Sequence, residues 1–286
     1  MSEPILSINE LYYSYPNRTD ALCGISTEIL PGQKIAVVGS NGAGKSTFFL
    51  NLNGVLHAHN GEIRYKGTVI NKKNLTELRK NVGIVFQDAD NQIIASTVRS
   101  EVGFGPMNLK LPKEEILSRV EQALAYMNLS EFIDRPPHYL SGGEKKRVSI
   151  ADIIAMKSEV IIFDEPMAAL DPINAQMLED VLFKLEQEGK TLMISTHDVD
   201  FAYRWAERIL VFADGNIIAD GEPTDIFSQN DILTRANLKK PILLQLYETM
   251  VHNRMLPEIS SSPRNLVEFQ TLIENHCNNP NFVPVT

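Results

Sequence analysis

Apolar and polar positions alternate with period two in Ile5-Leu6-Ser7-Ile8 and again in Ile25-Ser26-Thr27-Glu28-Ile29, which predicts two half-buried strands. Pro31-Gly32 punctuates them as a turn. Ile35-Ala36-Val37-Val38 is a continuous apolar run and predicts a strand covered on both faces. It leads into a glycine-rich loop at 39–47 and a helix expected to end near Gly54. Residues 62–70 predict a small hairpin around Lys66-Gly67, and 82–86 a further strand.

The texture changes after Gln87. From about Lys113 to Met156 the pattern is helical, with Ile116, Val120, Leu124 and Met127 three or four residues apart, as in an inserted helical subdomain. Buried-strand runs return at Val160-Ile161-Ile162-Phe163, which ends in Asp164-Glu165, and at Thr191-Leu192-Met193-Ile194, which ends in Ser195-Thr196-His197. Between them Asp171 and Pro172 read as N-cap and first residue of a helix that stops near Gly189. The runs 209–213 and 216–220 flank Asp214-Gly215, a hairpin signal. Past about Ile226 the chain turns helical again. Pro241 opens a stretch with Ile242, Leu243, Leu246 and Met250 on one side, and Ser262-Pro263 reads as the start of a last helix carrying Leu266, Phe269 and Ile273. Asn278-Asn279-Pro280-Asn281 reads as a loose tail. Strands alternating with helices place the chain in the α/β class.

Composition narrows the function classes. The 286 residues carry 27 Lys+Arg against 36 Asp+Glu, a net charge of -9, which argues against a surface built to coat nucleic acid or to anchor on acidic lipid. No apolar run approaches the ~18 residues of a membrane span. Met1-Ser2-Glu3-Pro4 has neither a basic nor an apolar leader segment, so no secretory signal is expected. Two cysteines, Cys23 and Cys277, are too few for a disulfide framework and fit a reducing compartment. The expectation is a cytoplasmic protein.

Three stretches carry chemistry. Residues 39–46 match G-x-x-x-x-G-K-[ST], with a buried strand before the loop and a helix after it. Glycines let backbone N–H groups wrap a phosphate, Lys45 reaches the β- and γ-phosphates, and the Ser46 hydroxyl is a Mg²⁺ ligand. Asp164, at the tip of an apolar strand, can hold Mg²⁺, and Glu165 beside it can polarise an attacking water. Leu140-Ser141-Gly142-Gly143-Glu144 contains a capping box, Ser141 with Glu144, and so starts a helix whose free N–H groups form a second anion site. Within one subunit that site and the phosphate loop cannot easily grip the same nucleotide; a second copy of the chain could supply it.

Together these stretches resemble the ATP-binding cassette ATPases over about residues 4–230. The phosphate loop is Gly39, Ser40, Asn41, Gly42, Ala43, Gly44, Lys45, Ser46 and Thr47; the signature is 140–144, and the acidic strand is 160–164 followed by Glu165. Gln87 is similar to the Q-loop glutamine, Ala169-Leu170-Asp171 to the D-loop, and Thr196-His197-Asp198 to the switch histidine. Tyr15, 24 residues upstream of Gly39, is similar to the aromatic that stacks on adenine, with Tyr13 the substitute. The resemblance implies a P-loop NTPase fold with a RecA-like core, an antiparallel β subdomain and an inserted helical signature subdomain at about 88–158. It also implies a head-to-tail dimer with two ATPs between subunits. Each site would pair one subunit's phosphate loop with the other's Ser141, Gly142 and Gly143. Glu165 would be the base, and His197 would contact the γ-phosphate. Gln87 would link Mg²⁺ and the water to a transport partner, and Asp171 would communicate between sites. Ser40, Asp152 and Met167 depart from the family's usual residues; Asp152 is expected to place a charge near the dimer or partner surface.

Residues 86–92 with 104–109, and 134–147, resemble the energy-coupling-factor ATPases and, within them, the cobalt/nickel importer (CbiO-type) subunits. That resemblance implies a transmembrane coupling subunit and a substrate-binding membrane subunit as partners, with 87–107 lining the groove that receives the coupling helices. The chain would then sit at the cytoplasmic face of the membrane, with 231–286 as a helical extension that helps hold the pair together. A vitamin importer of the same type is the alternative, and a soluble cassette acting in translation or DNA repair is a further one. A lone P-loop kinase leaves 140–144 unexplained. Intact Ser141 and Glu165 let one chain build two active sites, so a homodimer is expected. His57, His59, His276 and Cys277 are not expected to bind metal, because the transported ion passes through the membrane subunits.

Overall fold

The computed structural model describes residues 3–16, 20–168, 170–259 and 261–277. The readings of Met1-Ser2, of Ala169 and of the tail from Asn278 lie outside the described residues. Two sheets form. Strands β1 (Leu6–Ser14), β2 (Asp20–Ile29), β4 (Asn60–Tyr65) and β5 (Thr68–Val69) make a four-stranded antiparallel sheet in the order β2-β1-β4-β5. Strands β3 (Lys34–Gly39), β6 (Val82–Val85), β7 (Val160–Asp164), β8 (Thr191–Ser195), β9 (Arg208–Ala213) and β10 (Asn216–Gly221) make the second, in the order β10-β9-β3-β8-β7-β6. It is parallel from β6 to β9, and β10 returns antiparallel through Asp214-Gly215.

The continuous apolar runs are explained by what covers each face. Side chains alternate across a strand. In β7, Val160 and Ile162 join the cluster under the antiparallel sheet with Phe48 and Phe49 of α1 (Lys45–Leu52). Ile161 and Phe163 face a second cluster, built with α5 (Gly142–Met156) and α6 (Pro172–Gln187). β3 divides in the same way. Ile35 and Val37 face the first cluster. Ala36 and Val38 face a third, with Ala202 and Tyr203 of α7 (Val199–Trp205). That third cluster continues through α8 (Pro223–Ser228) and α9 (Asn230–Arg235) to Leu244 of α10 (Ile242–His252). Arg208 joins the two sheets: its guanidinium donates to both oxygens of Asp220 and to Thr27 Oγ1 on β2.

The helical segment consists of α3 (Val98–Asn108), α4 (Lys113–Tyr126) and α5, with single 3₁₀ turns at Ser130–Phe132 and Pro137–Tyr139. Val120, Leu124 and Met127 are buried, as their spacing requires. Three helices lack a sequence forecast: α2 (Leu75–Asn81), which buries only Leu78, α7, and α3, whose Gly103, Gly105 and Pro106 look like turn residues. Thr97 caps α3 by accepting from Ser100 N, and Gly105 lets α5 approach closely, since a Cβ there would meet Met156 Sδ at 2.3 Å, while Gly103 faces Val120 of α4.

The last helix, α11 (Leu266–Cys277), starts later than Ser262-Pro263 predicts. Asn265 Oδ1 accepts from Glu268 N, while the Pro263 carbonyl accepts from Tyr203 Oη and the Arg264 guanidinium donates to the carbonyls of Tyr203 and Ala206. Residues 263–264 are thus committed to docking on α7 before the helix begins.

Asp152 does not carry its charge to the surface. It packs among α3, α5 and Gln92, whose Nε2 lies 3.4 Å from Asp152 Oδ2, and its Oδ1 is sealed from solvent with no partner among the described residues. Burial first, then the Glu101 carboxylate, push its pKa up to about 7, while the Gln92 bond pulls the other way. Between the ordinary carboxylate range and pH 7 the folded protein therefore holds a proton that the unfolded chain has released, and this group's contribution to stability falls as pH rises through that window. Asp152→Asn is expected to raise Tm by several degrees at pH 8 and by less than about 2 °C at pH 5, measured by thermal unfolding at both pH values.

Candidate functional site at the carboxyl ends of the parallel strands

The parallel register assembles the site. β7 and β8 pair with Asp164 opposite Ser195, and β3 pairs with β8 with Val37 opposite Ser195. The phosphate loop, the acidic tip and the 195–197 segment therefore emerge side by side at the edge where open α/β sheets bind ligands. The loop's conformation needs glycine at two positions. Gly39 has φ 147° and a Cβ there would lie 2.2 Å from the Phe212 carbonyl oxygen; Gly44 has φ 108° and its Cβ would meet the Ala21 carbonyl at 2.6 Å. Gly44 is also the N-cap of α1 and gives no side-chain cap, so the first N–H groups of the helix point at the loop's hollow.

A cleft of about 450 Å³ lies over this loop. Asn41, Gly42, Gly44, Lys45, Ser46 and Thr47 line one side, Tyr15 with Asp20 and Ala21 another, and Gln87 and Glu165 the end. Tyr15 Oη lies 3.3 Å from Thr47 Oγ1, and Tyr13 packs edge-on against the Tyr15 ring. Tyr13 itself is buried and stacked on His59, so Tyr15 is the aromatic that faces the cleft. Lys45 is buried, and its ammonium donates to the carbonyls of Gly39 at 2.7 Å and Ser40 at 3.0 Å. Burial lowers its pKa, opposed by the Glu165 and Asp164 carboxylates.

At the acidic tip Ser195 Oγ donates to Asp164 Oδ1 at 2.5 Å and accepts from Glu165 N at 2.9 Å. One hydroxyl thus orients the buried carboxylate and fixes the backbone of the next residue. Glu165 stands at φ 46°, a left-handed conformation rare for a residue with a side chain, and its Oε1 lies 2.5 Å from His197 Nε2. No local motif assigns Ser195 a role; its signal is a hydroxyl at the end of the strand beside the acidic one.

The signature stretch lies elsewhere. Ser141 caps α5 with the full capping box: its N–H donates to Glu144 Oε2 at 2.7 Å and its Oγ faces Glu144 N at 3.4 Å. These bonds hold the Glu144 carboxyl below its ordinary pKa. None of Ser141, Gly142 and Gly143 lines the cleft; Gly142 borders a smaller hollow of about 150 Å³ with Gln87, Asp88, Lys146 and Leu170. Asp171 is the N-cap of α6, accepting from Asn174 N at 2.9 Å and Asn174 Nδ2 at 2.7 Å, and is likewise outside the cleft. His57 and His59 lie apart from the cleft: His59 stacks on Tyr13, and His57 borders a separate hollow beside the antiparallel sheet.

Comparison with known proteins agrees with this geometry. Residues 22–168 match the ABC transporter family model. An energy-coupling factor transporter ATP-binding protein of Methanocaldococcus jannaschii is 44% identical over 272 residues, covering 93% of this chain and 98% of that protein. A namesake from Methanococcus maripaludis is 46% identical over 248 residues, covering 86% of this chain and 89% of its own. The structure of cbiO1 from Clostridium perfringens, described as part of the ABC transporter complex cbiONQ, superposes with TM-score 0.72 at 39% identity, over 86% of this chain and all of that one. A dimeric ATP-binding cassette in a post-hydrolysis state with ADP and Pi gives TM-score 0.69 at 28% identity, over 76% of this chain and 98% of that one.

Ser195→Ala removes the donor to a buried carboxylate and the acceptor for Glu165 N, and such a loss costs about 1–3 kcal/mol. The variant is expected to melt several degrees lower and to show weaker protection of the Glu165 amide in hydrogen exchange. The chain belongs to the ABC transporter family, as an ATPase of the energy-coupling-factor type.

Proposed function

We propose that this chain is the ATP-hydrolysing subunit of an energy-coupling-factor importer and that two copies close head-to-tail on two ATP molecules. One observation carries the reading. Lys45, Ser46, Gln87 and Glu165 face one cleft, whereas Ser141, Gly142 and Gly143 present the start of α5 outside it. A nucleotide in the cleft is gripped from the phosphate-loop side only, and the second anion site has to come from another copy. The adenine stacks on Tyr15, and the triphosphate lies on the N–H groups of Gly39, Ser40, Asn41, Gly42, Ala43 and Gly44 and on the Thr47 side. Binding exchanges the two carbonyls that now hold the Lys45 ammonium for phosphate oxygens. Ser46, Gln87 and Asp164 offer the hard oxygen donors that Mg²⁺ takes, and the ion would neutralise phosphate charge. Glu165 accepts the proton of the attacking water, and His197, already against Glu165, reaches the γ-phosphate. Asp171, next to the signature through Asn174, communicates between the two sites; a Cβ on Gly143 would lie 3.0 Å from Asn174 Nδ2.

Among the described residues no helix is long and apolar enough to cross a membrane, so the membrane is met through partners at its cytoplasmic face. A transmembrane coupling subunit docks along 87–107, where Ile94, Phe104 and Met107 are exposed, and a separate membrane subunit binds the cargo. No nucleic-acid partner is proposed, given the acidic balance. Residues 1–230 act as the cassette. Residues 231–286 form the extension that helps pair the subunits, and Ile242, Leu246, Leu266 and Val267 give it an exposed apolar surface. Cobalt or nickel is the cargo on the resemblance of residues 86–92, 104–109 and 134–147 to the CbiO-type subunits; a vitamin is the second reading.

Glu165→Gln is expected to bind ATP as the parent does, to lose about 10²–10⁴-fold in turnover, and to run as a dimer with ATP on size exclusion. Turnover within threefold of the parent would sink the base assignment. Tagged protein is expected to co-purify with its membrane subunits, and uptake of labelled cobalt, nickel and vitamins by that assembly decides the cargo. Recovery of ribosomes or DNA in place of membrane proteins would reverse the reading.

A further inference from the structure

The pairing of β6 with β7 ends at Val85 opposite Phe163, and beyond it the chain leaves the sheet carrying Gln87 into the cleft. Carbonyls that leave a ladder inside a protein need new partners. Here α5 supplies them. Lys146, 5% exposed, donates from Nζ to the Phe86 carbonyl at 2.7 Å and the Gln87 carbonyl at 3.0 Å. Gln92 closes the segment: its Oε1 accepts from Phe86 N at 3.2 Å while its Nε2 donates to the Ser149 carbonyl on α5 at 3.1 Å. Lys145 Nζ meets Asp90 Oδ1 at 2.7 Å at the rim. Residues 86–92 are therefore fastened to the signature helix rather than to the sheet they have just left. An ammonium is costly to bury unless its donors are used and opposite charge is near. Lys146 meets both conditions, with Asp164 and Asp88 as its nearby carboxylates, although burial still pulls its pKa down to about 8.

We infer that Lys146 is a positioning residue for ATP hydrolysis: by holding the Phe86 and Gln87 carbonyls it ties the Gln87 backbone to the helix that begins at Ser141, so that the cleft glutamine and the signature loop move as one body. The inference rests on the reading of the cleft as the hydrolytic site. A partner that pushes on the segment after Gln87 then shifts the anion site of α5 by the same motion, and a second copy arriving at that anion site sets Gln87 in the first. Lys146 does not itself line the nucleotide cleft, so it acts through Gln87.

The test is a double-mutant cycle on the full chain with its membrane partners, reading kcat and KM for ATP. The wild-type rate, measured first, tests the reading on which the inference rests; ratios between variants test Lys146. Lys146→Met is expected to lower kcat at least tenfold with KM within twofold. In a Gln87→Ala background the same substitution is expected to lower kcat by less than threefold further, because the group it positions is gone. Lys146→Gln keeps a neutral donor for the two carbonyls and is expected to retain kcat within threefold. Multiplicative losses in the double variant, or an unchanged kcat in Lys146→Met, would overturn the role. If Lys146→Met does not fold, the decision passes to Lys146→Gln. Retained turnover there supports the latch. A folded variant without turnover, or one that fails to fold as well, assigns Lys146 to charge balance or to stability alone and overturns it.

Discussion

The parallel pairing of β3, β7 and β8 is the constraint from which the site follows. Their register brings Val37, Asp164 and Ser195 to the same level, so that three loops of very different chemistry leave the sheet at one edge. The glycine loop is forced into a hollow by backbone contacts that no side chain would survive, at Gly39 against Phe212 and at Gly44 against Ala21. Ser195 then fixes Asp164 and the backbone of Glu165 through one hydroxyl. If the register slipped by one residue, every buried side chain of β7 would change face and Asp164 would lose its partner.

Charge organises the interior around that edge. Lys45 and Lys146 are both buried, and each donates to two backbone carbonyls. Asp164 lies within electrostatic reach of both. The two lysines differ in what they hold. Lys45 closes a loop on itself and can release it to a better acceptor, because phosphate oxygens are charged and carbonyls are not. Lys146 ties two separate parts of the chain together. The first is suited to a ligand, the second to transmission.

The helical segment shows the same economy at a distance from the cleft. Gly103, Gly105 and Pro106 look like breakers, yet α3 forms because Thr97 caps it and because Gly105 leaves room for α5 to pack closely. Asp152 sits in that contact with one oxygen unpartnered among the described residues, and this burial is the first cause of its pKa rising to about 7.

Most of the architecture and the cleft were legible in local pattern. Continuous apolar runs at β3, β7 and β8 marked strands covered on both faces, and turn chemistry at Lys66-Gly67 and Asp214-Gly215 marked the hairpins. Local motifs marked Lys45, Ser46, Asp164 and Glu165 as candidates and located the Ser141–Glu144 capping box that starts α5, because phosphate loops, acidic strand ends and helix caps are local devices. Ser195, Lys146 and Gln92 were not legible. Each matters for a partner 30, 60 or 57 residues away in the chain, and a hydroxyl, an ammonium or an amide has no periodicity that names a distant acceptor. The start of α11 differs from the local pattern for the same reason: Pro263 and Arg264 are spent on α7, a contact about 60 residues distant, before the helix can begin. The sequence by itself determined the elements and the chemistry each can carry. Only the tertiary structure decided which of them share a cleft, because strand order, register and long-range hydrogen bonds are set by burial across the whole chain.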